Sequence, residues 1–140
     1  MAVEADLWQL TKNNTPLGFF KRFEDRLGTG TPDVYYCIRG TSGWIELKHL
    51  DALPKRPATP VRVDHFTADQ RGWHKSHAKS GGVSWFWMRA GDEFFLLKGW
   101  VAAASIGKLT AEELRASSVY HCNGRVDWPR FWGYIISGGR

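Results

Sequence analysis

Gly30-Thr31-Pro32-Asp33-Val34-Tyr35-Tyr36-Cys37-Ile38-Arg39 leads straight into Gly40-Thr41-Ser42-Gly43-Trp44-Ile45-Glu46-Leu47-Lys48-His49. Asp33–Arg39 and Trp44–His49 are rich in β-branched and aromatic residues. Gly40-Thr41-Ser42-Gly43 between them is a tight connection, so the two runs read as a β-hairpin. Along its second arm side chains alternate, which places Trp44, Glu46 and Lys48 on one face and Ile45 and Leu47 on the other. Upstream, Leu17–Phe23 is a further strand candidate. Residues 2–12 carry Val3, Leu7 and Leu10 on one side of a short amphipathic helix, stopped by Asn13-Asn14-Thr15-Pro16.

Downstream, residues 51–65 hold Pro54, Pro57 and Pro60 with Lys55, Arg56 and Arg62, a basic and semi-stiff loop. Thr67-Ala68-Asp69-Gln70 fits a capping box and predicts a helix to about Ser80, ended by Gly81-Gly82. Val83–Arg89 and Glu93–Lys98, joined through Ala90-Gly91-Asp92, form a second hairpin. Thr110–Ser117 is a helix candidate, and Asp127-Trp128-Pro129 starts a last short one, with Pro129 tolerated in its first turn. The order α-β-β-β-α-β-β-α, with that last helix, predicts an α/β fold in one domain, a central mixed β-sheet flanked by helices. Residues 1–140 form the domain, with a core at about 18–98 and a C-terminal extension, 99–140, that matches no recognisable pattern.

Composition bounds the function. A chain of 140 residues, 43% hydrophobic and 24% charged, is globular rather than disordered, collagenous or coiled-coil. No run of about 18 apolar residues is present, so no membrane span is expected. Acids at Glu4 and Asp6 stand where a secretory signal would be basic, so the protein is expected to be soluble and cytoplasmic. Cys37 and Cys122 are too few for a disulfide framework. The net charge is +5. Its excess is concentrated in residues 51–90, with seven basic against three acidic side chains, compatible with a polyanionic partner.

The hairpin carries the chemistry. Asp33, at the far end of the first arm, can approach Glu46, and Lys48 shares the face of Glu46. Two carboxylates and an ammonium converging at a sheet edge suit metal-assisted phosphodiester hydrolysis. Hard oxygens hold Mg²⁺, which lowers the pKa of its water and takes up phosphate charge, while the lysine orients that water or stabilises the transition state.

In order and spacing, Gly30-Thr31-Pro32-Asp33-Val34, Trp44-Ile45-Glu46-Leu47-Lys48, Thr67-Ala68-Asp69-Gln70-Arg71-Gly72-Trp73-His74 and Gly81-Gly82-Val83 resemble the PD-(D/E)XK nuclease superfamily. Within it the chain looks most like the small VRR-NUC and Holliday-junction-resolvase-like proteins, often encoded by bacteriophages. The resemblance covers about residues 20–90. It implies a restriction-endonuclease-like core and a Mg²⁺- or Mn²⁺-dependent DNA endonuclease, with branched or structured DNA as substrate. Asp33, Glu46 and the Leu47 carbonyl would bind metal, Lys48 would assist the nucleophile, and Gln70 would border the site. A further glutamate, found nearer the N-terminus in many relatives, falls on Glu24, with Arg22 before it, or on Glu4; Glu24 is preferred. A homodimer would be expected for symmetric junction cutting, and the aromatic hairpin at Trp85, Phe86, Trp87, Phe94 and Phe95 could supply its interface. If the chain is phage-encoded, its location would be the host cytoplasm.

On the helix after Lys48, Gln70, Trp73, His74 and His77 share one face, and Arg71, Lys75 and Lys79 form an adjacent basic stripe suited to phosphates. Arg22 and Arg26 are further candidates for nucleic-acid contact. His74 and His77 are spaced to share a metal, but no CxxC or HExxH accompanies them, and a polar helix face or contact with phosphates is the expected setting. No GxxxxGK[ST] loop is present, and no serine or cysteine has a convincing catalytic partner. The alternatives to the nuclease are a non-catalytic nucleic-acid-binding module on the same fold and a phage structural or assembly protein.

Overall fold

The computed structural model describes residues 4–24 and 27–138. Its elements run α1 (Glu4–Lys12), β1 (Phe19–Arg22), β2 (Val34–Ile38), β3 (Thr41–Leu50), α2 (Ala68–Lys79), β4 (Ser84–Ala90), β5 (Glu93–Lys98), α3 (Gly99–Ser105), α4 (Ala111–Ser117), β6 (Tyr120–Asn123) and α5 (Trp128–Ser137). The strands form one mixed sheet in the order β1-β2-β3-β4-β5-β6. All neighbours are antiparallel except β3 and β4, which run parallel because α2 carries the chain back between them. This is a single-domain α/β fold with helices on both faces of a central sheet.

Burial follows the side-chain pattern. In β2, Val34, Tyr36 and Ile38 are buried and alternate with half-exposed Tyr35 and Cys37. Central β4 is buried through Ser84-Trp85-Phe86-Trp87-Met88, as expected for a strand covered on both faces. On one face, Leu7 and Trp8 of α1 and Phe131, Trp132 and Ile135 of α5 pack on Ile45, Leu47, Trp85 and Trp87. On the other, Phe66, Ala102, Ala103, Ile106 and Leu114 cover Phe86, Met88, Phe95 and Leu97. Glu46, Lys48 and His74 are buried on this second side.

Two elements lie outside the sequence expectation. α3 begins on Gly99 without a side-chain cap and follows β5 with no intervening turn residue, so no start signal marks it. β6 has four residues and is defined by its pairing with β5. Residues 99–138 are therefore not an appendage: they add an edge strand, and helices from this segment cover both faces. The second hairpin also departs from expectation. Trp85, Phe86, Trp87, Phe94 and Phe95 are each at most 1% exposed, so this hairpin is core and offers no dimer interface. Among the described residues no helix is long and apolar enough to cross a membrane.

One glycine ties the loop before β2 to α2. Gly30 has φ +91°, and a Cβ there would run into the Asp69 carbonyl and the Gln70 nitrogen. Gly30→Ala is expected to destabilise the fold by about 2–3 kcal/mol, from left-handed strain plus the backbone clash. Urea unfolding measures this. A loss under about 0.5 kcal/mol would mean that the loop is not seated on the helix.

Candidate active site

Pro32 and Asp33 have separate backbone roles at the end of β2. The β2–β3 register pairs Val34 with Ile45, so one and two steps further Asp33 faces Glu46 and Pro32 faces Leu47. Proline has no N–H to give a neighbouring strand. The Asp33 side chain meets this frayed end: its Oδ2 accepts the Leu47 N–H at 2.7 Å. A residue's N–H and C=O point to the same side of a strand, so the Leu47 carbonyl also faces this end, where Pro32 provides no donor. The result is a main-chain oxygen next to two carboxylates.

Glu46 and Lys48 are only 1% and 2% exposed, and buried charges of this kind require partners. Lys48 Nζ lies 3.5 Å from Glu46 Oε2 and donates to the His65 carbonyl at 3.0 Å and to Gln70 Oε1 at 3.1 Å. Gln70 can accept there because it is the capping-box residue of α2, its Oε1 also taking the Thr67 N–H at 3.0 Å. The capping signal in the sequence thus positions the side chain that holds the lysine. Glu46 Oε1 lies 3.2 Å from His74 Nε2, and His74 Nδ1 is 2.7 Å from Ser84 Oγ. Burial, with Lys48 nearby, lowers His74 to about 4, so the ring is neutral at pH 7. The contact is then a hydrogen bond rather than an ion pair; with Glu46 Oε1 as the acceptor, Nε2 carries the proton and Nδ1 accepts from the Ser84 hydroxyl. Gly99, the first residue of α3, seals this chain, since a Cβ there would strike both His74 and Ser84.

Burial and the neighbouring Glu46 raise Asp33 from 3.8 to about 7, and burial likewise raises Glu46. Two buried carboxyl groups acting on each other in this way disfavour a double negative charge, which calls for a shared proton in the absence of a cation. A raised acid binds more protons folded than unfolded, so its contribution to stability is present at low pH and is lost as the pH rises from about 4 to about 7. His74 opposes this, losing stability as the pH falls from 6.5 to about 4. The comparison with Asp33→Asn reports on the coupled carboxyl pair: the variant is expected to gain on the wild type by a few kcal/mol as the pH is raised through this window. Unfolding in EDTA at stepped pH measures it. Parallel curves would show that Asp33 does not retain its proton in the fold.

The fold thus brings Asp33, Glu46, Leu47, Lys48 and Gln70 together. Glu24 is exposed just beyond β1. The charge of Glu4 adds to the raising of Glu46, and Glu4 Oε2 lies 3.8 Å from His65 Nε2, which sets the first-helix glutamate near the site. Arg22 pairs with Val34 and so lies on the opposite sheet face from the carboxylates. Arg26 lies outside the described residues. Arg71 leaves the expected basic stripe: it donates to the Phe66, Ala103 and Ile106 carbonyls and stacks over the Phe66 ring, fastening α2 to α3. Lys75 and Lys79 remain exposed. His74 does not sit on a polar face, and His77 stacks on Trp73 with centroids 4.5 Å apart. The sequence signal for His74 was its i, i+4 spacing from Gln70; Ser84 had no comparable signal.

Among the described residues no group of three or more His, Cys, Asp or Glu side chains forms a metal cage. The donor set that fits a divalent cation here is two hard carboxylates and a main-chain carbonyl, with the remaining positions open to water as Mg²⁺ prefers. Compared with known proteins, the chain matches no family model and no curated sequence.

Proposed function

We propose that this protein is a metal-dependent DNA endonuclease. The observation that carries the reading is the convergence of Asp33, Glu46 and Lys48 at the open end of β2. Lys48 is buried against Glu46 and held by Gln70. Asp33, Glu46 and the Leu47 carbonyl would hold Mg²⁺ or Mn²⁺, whose contribution is to acidify water and offset phosphate charge. Lys48 Nζ, directed by Gln70 Oε1 and the His65 carbonyl, orients a water or stabilises charge on the phosphate. His74 fixes the Glu46 carboxyl through Oε1. Branched DNA is the proposed substrate, and symmetric cutting of a junction would need two copies of the chain.

The test uses supercoiled plasmid, single-stranded DNA and a four-way junction, each with Mg²⁺, Mn²⁺ or EDTA. Wild type is expected to cut with metal and not with EDTA, and Asp33→Ala and Glu46→Ala to cut nothing. Salt-sensitive DNA binding without cleavage by any of the three proteins would leave a binding module instead. A protein that neither cuts nor binds would fit a structural role.

A further inference from the structure

The sheet face that holds the carboxylates continues past them as a row of aromatic side chains. Register places Lys21, Tyr35 and Trp44 side by side across β1, β2 and β3. They are two residues from Phe23, Asp33 and Glu46 along their strands, and therefore on the same face. Trp44 is the centre of the row, with ring centroids 5.4 Å from Tyr35, 5.5 Å from Phe23 and 5.7 Å from Trp73 of α2. Phe19 extends it beyond Tyr35 at 6.2 Å.

These rings are not core. Phe19 is 57% and Phe23 37% exposed, and Tyr35, Trp44 and Trp73 are half-buried. Other tryptophans, Trp85 and Trp87 among them, fill the interior. A connected aromatic surface on one face of the sheet is suited to an interaction site. Its composition points to the partner. Lys21 lies within the row, its Nζ 5.6 Å from the Phe23 ring centre, and the chain carries +5, which favours a polyanion over a second copy. The row also runs up to the carboxylates, so a protein seated on it would cover them.

We propose that this row is a stacking platform for the unpaired bases of a nucleic-acid strand, which it leads to Asp33, Glu46 and Lys48. The proposal rests on the nuclease reading and narrows its substrate to DNA with a single-stranded segment. Bases inside a duplex have their faces covered by their neighbours. Only unpaired bases can stack on protein rings, and they do so with little regard to sequence.

Binding is measured by fluorescence anisotropy in EDTA, so that cleavage plays no part. The probes are oligothymidylate and oligouridylate of about 20 nucleotides, longer than the ~4–16 that a small single-strand-binding fold covers, and a blunt duplex of equal length. Trp44→Ala and Tyr35→Ala are expected to weaken single-strand binding roughly fivefold or more, with duplex binding changed less than about twofold. Trp44→Phe should retain most of the affinity. Phe19→Ala, at a more exposed ring, carries the test if Trp44→Ala does not fold. Capture of both oligonucleotides supports stacking through the base, and a preference for thymidylate assigns the strand as DNA.

Three results would overturn the platform: single-strand affinity unmoved by these substitutions, single-strand and duplex affinity falling together, or a dimer in sedimentation that Phe19→Ala dissociates. A wild type that cuts duplex DNA with Mg²⁺ yet ignores single strands removes the platform and leaves the nuclease. A protein that holds single strands through these rings and never cuts keeps the platform and removes the nuclease.

Discussion

Lys48→Met is expected to reduce metal-dependent DNA cleavage by roughly 10²–10³-fold while leaving DNA affinity little changed. The Lys48 ammonium is inside the protein, 2% exposed, so it is not placed to grip a phosphate from outside. Its three polar neighbours, Glu46, Gln70 and the His65 carbonyl, aim it at the carboxylate pair. A buried cation beside Glu46 also stabilises the fold, and removing one partner of such a pair costs about 3–5 kcal/mol unless the other is neutralised. Glu46 is already raised by burial, so it can take up a proton and limit the loss. Methionine keeps the volume and the packing on Phe66. Single-turnover cleavage and urea unfolding of the same variant separate the two effects. Cleavage within tenfold of wild type in a folded variant would remove Lys48 from the chemistry. Binding lost in proportion to cleavage would make it a phosphate contact.

The largest stability effect is expected at Trp87, where Trp87→Ala should cost about 3–5 kcal/mol, a large share of the ~5–15 kcal/mol that holds a domain. The ring is fully buried in β4 and joins elements from both ends of the chain. Its centroid lies 4.3 Å from Phe131 of α5 and 5.6 Å from Phe94 of β5. Its Nε1–H donates to Thr11 Oγ1 at 3.1 Å, and the Thr11 hydroxyl in turn donates to the Leu7 carbonyl at 2.7 Å. Alanine would leave a cavity between α1 and α5 that neither helix can fill without losing its remaining contacts. Trp87→Phe should recover much of the loss, since only the second ring and the N–H are missing. Urea unfolding gives the answer. A cost below about 2 kcal/mol would mean that α5 can close onto the sheet without it.

What was legible in the sequence was local. The alternation of Trp44, Glu46 and Lys48 against Ile45 and Leu47 depends only on the two-residue period of a strand, and it predicted both faces of β3. The capping box at Thr67 lies within four residues, so the start of α2 could be read directly. Asp33, Glu46, Lys48 and Gln70 come together because a tight hairpin and the next helix cap are all the fold needs to join them.

Other features depended on pairings between distant residues, and no local pattern encodes these. Arg71 carries the charge of a phosphate ligand, and its Nη1 is held by carbonyls 32 and 35 residues away. His74 looked like one polar residue among several on its helix, and it is buried where Glu46, Phe66, Ser84 and Gly99 close around it. Glu4 comes near Glu46 through where α1 packs, although it is far from Asp33 along the chain. By itself, then, the sequence determined the hairpin, its two faces and the acids and lysine at its end, since each follows from neighbours a few residues apart. Only the tertiary structure decided which charges are exposed, which rings are core and which form a surface, because burial is set by whatever packs on top.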